Sequence, residues 1–254
     1  MSFDMSHLLE QWDYQPGQVM VRKFKGKDGA QKIQLRVDLG LLQMNAEGRP
    51  DGKRPLGHES FYAFCVHKLE LHREEHGDEE AFRLKADDCS RLQAEALQFH
   101  HRCICQLQLE DYEAAARDSS RNLEVFDFAD EYAETDDMSW SLRQFHPQVL
   151  MLNVRAAAST HLHTSNYKKA IKEIEEGLEE LKQFYESCGN TEYADQSPEF
   201  LSLETWLEDV KNQRPLSKRE KLELDLQKAI QLEDFEKAAK VRDALRKLEK
   251  TKKS

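Results

Sequence analysis

Apolar residues alternate in the first 56 positions and then recur at helical spacing. From Gln18 to Lys25, Val19 and Val21 recur at a spacing of two, and Phe24 follows. From Gln31 to Val37, Ile33, Leu35 and Val37 fall on one face. A period of two is that of a half-buried strand. Lys27-Asp28-Gly29 supplies a turn between the runs, with Asp-Gly its strongest element. Leu39 to Met44 predicts a third extended run, and Gly48, Pro50, Gly52 and Pro55 close the segment as a loop. The pattern predicts a small N-terminal antiparallel β-sheet of two or three strands within 1–56. Such a sheet is marginal alone, so its apolar face needs helices against it. Residues 1–16 form a lead, with Leu8, Leu9 and Trp12 available to cover part of the body.

From Gly57 the spacing predicts helices. The first carries Phe61, Phe64, Cys65, Leu69 and Leu71 and stops at Gly77. The second starts at Asp78 or Glu79 and runs through Leu92, Ala96, Phe99 and Cys103 to Leu107. The third spans Asp111 to Tyr132, and the acidic run Ala129–Asp137 reads as a solvated connection. The fourth covers Ser139 to His163, with a kink or a new start near His146 because Pro147 cannot sit in a helix interior. The fifth runs from Asn166 to Ser187 and stops at Gly189. Ser197-Pro198 opens a sixth, with Phe200, Leu203, Trp206, Leu207 and Val210 in one stripe. Pro215 separates this body, 57–213, from a last segment, 214–254.

That segment predicts a helical hairpin turning at Gln231-Leu232-Glu233-Asp234. Ser217 and Glu220 have the spacing of a capping box. Leu222, Leu226, Ala229 and Ile230 share one face of the first helix. Asp234 caps the second, whose apolar side is Phe235, Ala238, Ala239, Val241, Leu245 and Leu248. A hairpin of about 32 residues is too small to hold its own core, so it packs on the chain, on its own copy or on a partner.

The run Leu226, Ala229, Glu233-Asp234-Phe235-Glu236, Ala238-Ala239, Arg242-Asp243, Leu245 resembles the UVR domain, or UvrB/UvrC motif. In that family the hairpin is a protein–protein contact module. It joins the helicase and nuclease subunits of bacterial excision repair, and it also occurs in Clp-type unfoldases and in the activator of a bacterial protein arginine kinase. The resemblance implies a docking device. Its expected contact residues are Leu226, Ile230, Phe235, Ala239 and Leu245, which bury surface, and Arg242, which sets the geometry.

Two stretches of the body are similar to one another. Leu109-Glu110-Asp111-Tyr112-Glu113-Ala114-Ala115 and Ser165-Asn166-Tyr167-Lys168-Lys169-Ala170 each follow a helix with small residues late in it. Aligning Ala115 with Ala170 also aligns Cys103 with Ala158, Tyr112 with Tyr167 and Leu123 with Leu178. This resembles the tetratricopeptide repeat, although the offset from 115 to 170 exceeds that family's 34-residue period. The family's Gly-containing turn and closing proline are also missing. The expected fold class is thus mainly α: a tetratricopeptide-like helical-hairpin array with a small N-terminal sheet and a C-terminal UVR hairpin.

Charge divides along the same lines. The whole chain has a net charge of −11. Residues 57–213 hold 15 basic and 33 acidic residues, whereas 214–254 hold 13 and 8. An acidic middle repels a phosphate backbone. The basic end can meet nucleic acid, the acidic body or an acidic partner. No apolar run is long enough to span a membrane. Residues 1–16 lack the basic start and apolar centre of a secretory signal, so a cytoplasmic location is expected. The five cysteines, unevenly spaced, read as reduced and mostly packed thiols.

Candidate chemistry is sparse. His67, His72 and His76 lie along one helix and His100, His101, Cys103 and Cys105 along the next, but no CxxC pair exists and a closed zinc site needs four ligands. His161 and His163 suit a helix C-terminus. Lys25-Gly26-Lys27-Asp28-Gly29 is hairpin punctuation and not a phosphate loop. No GxSxG, HExxH or Cys/His signature is present. The reading is a non-enzymatic adaptor with no catalytic residue, cofactor or metal, whose hairpin docks another protein or its own copy. The alternative is an accessory factor of bacterial nucleotide excision repair that contacts DNA or the excision nuclease and helicase subunits.

Overall fold

The alternating runs pair as an antiparallel sheet in the order β1 (Met20–Lys25), β2 (Gln31–Val37), β3 (Gly40–Asn45). The computed structural model describes residues 4–216, 218–232 and 234–251, without the side chains of 218–220 and 246–251. Val21 lies opposite Leu35, and Ile33 opposite Met44. The first turn closes where the Gly26 N–H donates to the Ala30 carbonyl at 2.8 Å, and Gly29 takes the φ of +80° that favours glycine. Ile33, Met44 and Ala46 pack with Cys105, which covers the sheet with a helix as its size requires. Gln34 and Arg36 of β2 are buried too. Arg36 donates to the Trp12 carbonyl at 2.8 Å, and the Arg22 guanidinium lies 4.4 Å from the Trp12 ring centre. The lead, with its short helix α1 (Ser6–Leu9), thus covers part of the sheet.

The helices follow as α2 (Phe61–His76), α3 (Ala86–Gln108), α4 (Tyr112–Tyr132), α5 (Asp136–Arg143), α6 (His146–His163), α7 (Tyr167–Ser187), α8 (Thr191–Ala194), α9 (Pro198–Gln213), α10 (Lys218–Gln231) and α11 (Phe235–Thr251). Most starts have a visible cause. The Ser60 hydroxyl accepts from the Ala63 N–H, Thr135 accepts from Met138, and Pro147 sits in the first turn of α6. Gly77 ends α2 with φ +82°, and Gly189 follows α7 with φ +72°.

Three expectations need correction. The helix expected from Gly57 begins at Phe61, because Leu56 and Gly57 both take positive φ in a short 3-10 turn. The second helix begins at Ala86 and not at Asp78 or Glu79. Leu84 is instead held extended: its N–H donates to the Tyr132 carbonyl at 2.7 Å and its carbonyl accepts from Glu134 at 3.1 Å. The break near Pro147 falls as expected: α6 starts anew at His146, and α5 precedes it as a separate helix. The run Ala129–Asp137 is not a solvated connection. Ala129 is 0% exposed and Tyr132 5%, at the end of α4, while Asp136 and Asp137 form the first turn of α5. The short helix α8 was not expected.

Helix α4 packs against both α3 and α6, and α6 packs against α7. The main core gathers Phe61, Leu69, Phe82, Leu92, Val125 and Phe126 with their neighbours. Small residues sit where these helices cross. Cys103, Ala115 and Ala156 form one cluster, and a Cβ added to Gly177 would lie 2.2 Å from Val154 Cγ2. The chain divides into two compact units between Glu208 and Asp209, the second carrying α10 and α11. Among the described residues, no helix is long and apolar enough to cross a membrane.

Candidate functional site

The turn between α10 and α11 is a tight closure of backbone bonds. The Leu232 N–H donates to the Lys228 carbonyl at 3.0 Å, and the Asp234 N–H donates to the Ala229 carbonyl at 2.8 Å. A bond reaching back five residues satisfies a carbonyl that the end of a helix would otherwise leave open. The Asp234 carboxylate then accepts from the Lys237 N–H at 3.0 Å, so it caps α11 as expected. Ser217, Glu220 and Leu248, also assigned roles above, lie outside the described residues or side chains.

Two turns in the body repeat this geometry. The Asp111 N–H donates to the Gln106 carbonyl at 2.9 Å, and the Asn166 N–H to the His161 carbonyl at 2.8 Å. Glu110 and Ser165 take φ of 58° and 57°. The two are related by the register that aligns Ala115 with Ala170, both 0% exposed. The first body turn also shares its residues with the hairpin: Leu109-Glu110-Asp111-Tyr112-Glu113 corresponds to Leu232-Glu233-Asp234-Phe235-Glu236.

Their surroundings differ. Asp111 pairs with Lys23 at 2.8 Å and Tyr112 is half-buried. The helix that Tyr112 begins is covered by α6, where Asn153 donates to the Ala116 carbonyl at 3.3 Å and to Ser119 Oγ at 3.0 Å. Phe235, in contrast, is 72% exposed, Leu232 79% and Ile230 55%.

The six expected contact residues fall into two groups. Leu226, Ala239 and Leu245 are half-buried, and Ala229 between the helices is 1% exposed. Ile230, Phe235 and Arg242 face out. Arg242 lies 3.4 Å from Asp243, and Lys240 lies 2.7 Å from Glu236. Leu232 and Leu224, 42% exposed, belong to the same exposed apolar set and were not anticipated. The available signal was a leucine placed in a turn between Gln231 and Glu233, where nothing local can bury it.

Buried charge lies elsewhere, between the loop after β3 and helices α2 to α4. Glu95, 0% exposed, accepts from Arg49 Nε at 2.7 Å and from the N–H groups of Phe61 at 2.7 Å and Tyr62 at 3.1 Å. Arg121 also donates to Glu95. Its guanidinium sits 4.1 Å from the Phe99 ring centre, and burial lowers its pKa. Arg102 and Asp118 form a second pair, and Arg102 also donates to the carbonyls of Asn45 and Gly48. These carboxylates are engaged by several donors each, so the network braces the loop and the start of α2.

Three of the buried thiols are held protonated. Burial pushes Cys65, Cys103 and Cys105 up to about 12, so none is a thiolate near neutral pH. Cys103 faces Ala115 and Ala156 while Cys105 faces the sheet. His72 and His76 stack with ring centres 4.2 Å apart. Among the described residues, no three His, Cys, Asp or Glu side chains gather as a metal site would need.

No curated protein and no solved structure matches the chain. Residues 217–251 match the family model described as the UvrB/uvrC motif, which spans α10, the turn and α11. The hairpin that presents Ile230, Leu232 and Phe235 is therefore a UvrB/uvrC motif.

Proposed function

We propose that the chain is a non-enzymatic adaptor that holds another protein, or its own copy, through the hairpin of α10 and α11. The observation that carries this reading is the 72% exposure of Phe235 at the start of α11, with Leu232 and Ile230 exposed within the same six residues. Contiguous exposed apolar surface marks interaction sites, and aromatic anchors carry much of an interface's energy. Burying one such side chain contributes about 1.5–3 kcal/mol.

The body suggests what the hairpin lacks. Helix α4 follows the same Leu-Glu-Asp-aromatic-Glu turn and is covered on one side by α3 and on another by α6. In the hairpin, α10 stands where α3 does, and the partner supplies the covering surface. The two body turns also support a tetratricopeptide-like array with a longer period, which would act as the adaptor's rigid part.

A direct role on DNA in excision repair is the second reading, favoured by the motif and by the basic balance of residues 214–254. Lys240 and Arg242 lie beside Glu236 and Asp243, which lowers their value as phosphate contacts. Affinity capture with the full chain tests the docking reading. Phe235→Ala should lose the captured protein while the circular dichroism spectrum stays helical. Recovery of the same proteins by the variant would sink the reading.

A further inference from the structure

A recess of about 280 Å³ opens between α3 and the α5–α6 corner, with α4 as part of its floor. The floor is built from buried residues: Phe126 and Val149 are each 3% exposed and Ala96 5%. Its mouth is apolar as well, with Leu97 54% and Phe145 41% exposed. We propose that this recess binds a neutral, mostly apolar small molecule of one or two rings.

Charge decides the class of ligand. The body segment 57–213 carries 33 acidic and 15 basic residues, yet no Asp, Glu, Lys or Arg lines the recess. An anion would enter a repulsive field and find no cation, while a cation would find no carboxylate to pair with. His100 lines one wall, and burial together with neighbouring His101 lowers its pKa, so the imidazole is neutral at pH 7. The floor's polar side chain, Asn122, is already used: its amide donates to the Ala96 carbonyl at 2.9 Å and its oxygen accepts from Arg121 at 3.0 Å. The floor therefore receives apolar atoms without leaving a polar group unpaired.

The volume sets the size. Small-molecule sites start near 300 Å³ and are mainly apolar with a few convergent polar groups. Besides Asn122, those groups here are Ser90, Gln93 and His100 on α3 and Gln148 on α6. A larger ligand would project past Leu97 into solvent. A ligand of one or two rings would cover Leu97 and Phe145, and that burial drives binding.

The uncharged dye phenylnaphthylamine and its sulfonated counterpart, anilinonaphthalene sulfonate, test this on the full chain by fluorescence. The neutral dye should bind at one site per chain, about tenfold tighter than the sulfonate. Ala94→Trp, which fills the recess from an exposed position, and Leu97→Glu, which brings in a charge, should each weaken it by about tenfold or more. Phe235→Ala should leave it unchanged, since the hairpin's apolar surface is a separate feature. The proposal is overturned if both recess variants bind the neutral dye as wild type does. It is equally overturned if the sulfonate binds as tightly, or if Phe235→Ala removes the site.

Discussion

The Arg102 guanidinium grips both oxygens of the Asp118 carboxylate, at 2.6 and 2.8 Å, and each side chain is 2% exposed. The pair joins α3 to α4, and through the carbonyls of Asn45 and Gly48 it also holds the loop after β3. Removing one partner strands a buried charge, which costs about 3–5 kcal/mol. Arg102→Met should therefore lower the urea midpoint strongly. Arg102→Met with Asp118→Leu should recover much of the loss, because a packed apolar pair replaces a buried ionic one at little cost. Equal stability of the single and double variants would contradict this.

Gly177 offers a second stability test. Alanine usually improves a helix interior by about 1 kcal/mol over glycine. Here its Cβ would meet Val154 at 2.2, 3.0 and 3.2 Å, and Val154 is buried with a stiff, β-branched side chain. Overpacking of this kind costs about 1–3 kcal/mol. Gly177→Ala should lower the melting temperature, and adding Val154→Ala should relieve the clash. A more stable Gly177→Ala protein would show that α6 and α7 do not cross so closely.

Stability should also fall in mild acid. His146 stacks on Phe184 with ring centres 4.8 Å apart, its Nδ1 is buried without a hydrogen bond, and burial lowers its pKa. A histidine with a depressed folded pKa contributes stability that is present above its unfolded pKa, about 6.5, and is lost as pH falls through the folded one. The unfolded chain binds the proton more readily, so unfolding gains from acid. Thermal melts between pH 7.5 and 5 should show the decline, and His146→Phe should flatten part of it. A variant with the wild-type pH slope would remove His146 as a cause.

Much of this fold is legible in the sequence where one period dominates. The strands follow Val21, Ile33 and Leu35, and the helix ends follow Gly77, Pro147 and Gly189. Leu84 escaped because a single extended pairing has no period to detect. Ala129–Asp137 misled because its acidic residues are conspicuous, although Ala129 and Tyr132 continue the stripe of Val125, Phe126 and Phe128. The buried ions had a readable signal. Glu95 lies three residues after Leu92 and four before Phe99, and Arg102 three after Phe99, so both sit on the apolar side of α3. Their partners could not be read, since Arg49 and Asp118 are joined to them only by the tertiary fold. At the hairpin, the Asp234 cap and exposed Phe235 were legible from the turn. The separation of half-buried Leu226, Ala239 and Leu245 from outward Ile230 and Phe235 needed coordinates.

Site-specific photo-crosslinking tests the docking surface most directly. A photoreactive residue placed at Leu232, 79% exposed beside the turn, is compared with one at Leu39, 89% exposed at the sheet. With the full chain in lysate, the probe at Leu232 should join covalently to a second protein molecule, and the probe at Leu39 should not. Crosslinks from Leu39 alone, with none from Leu232, would place the contact away from the hairpin and contradict its role.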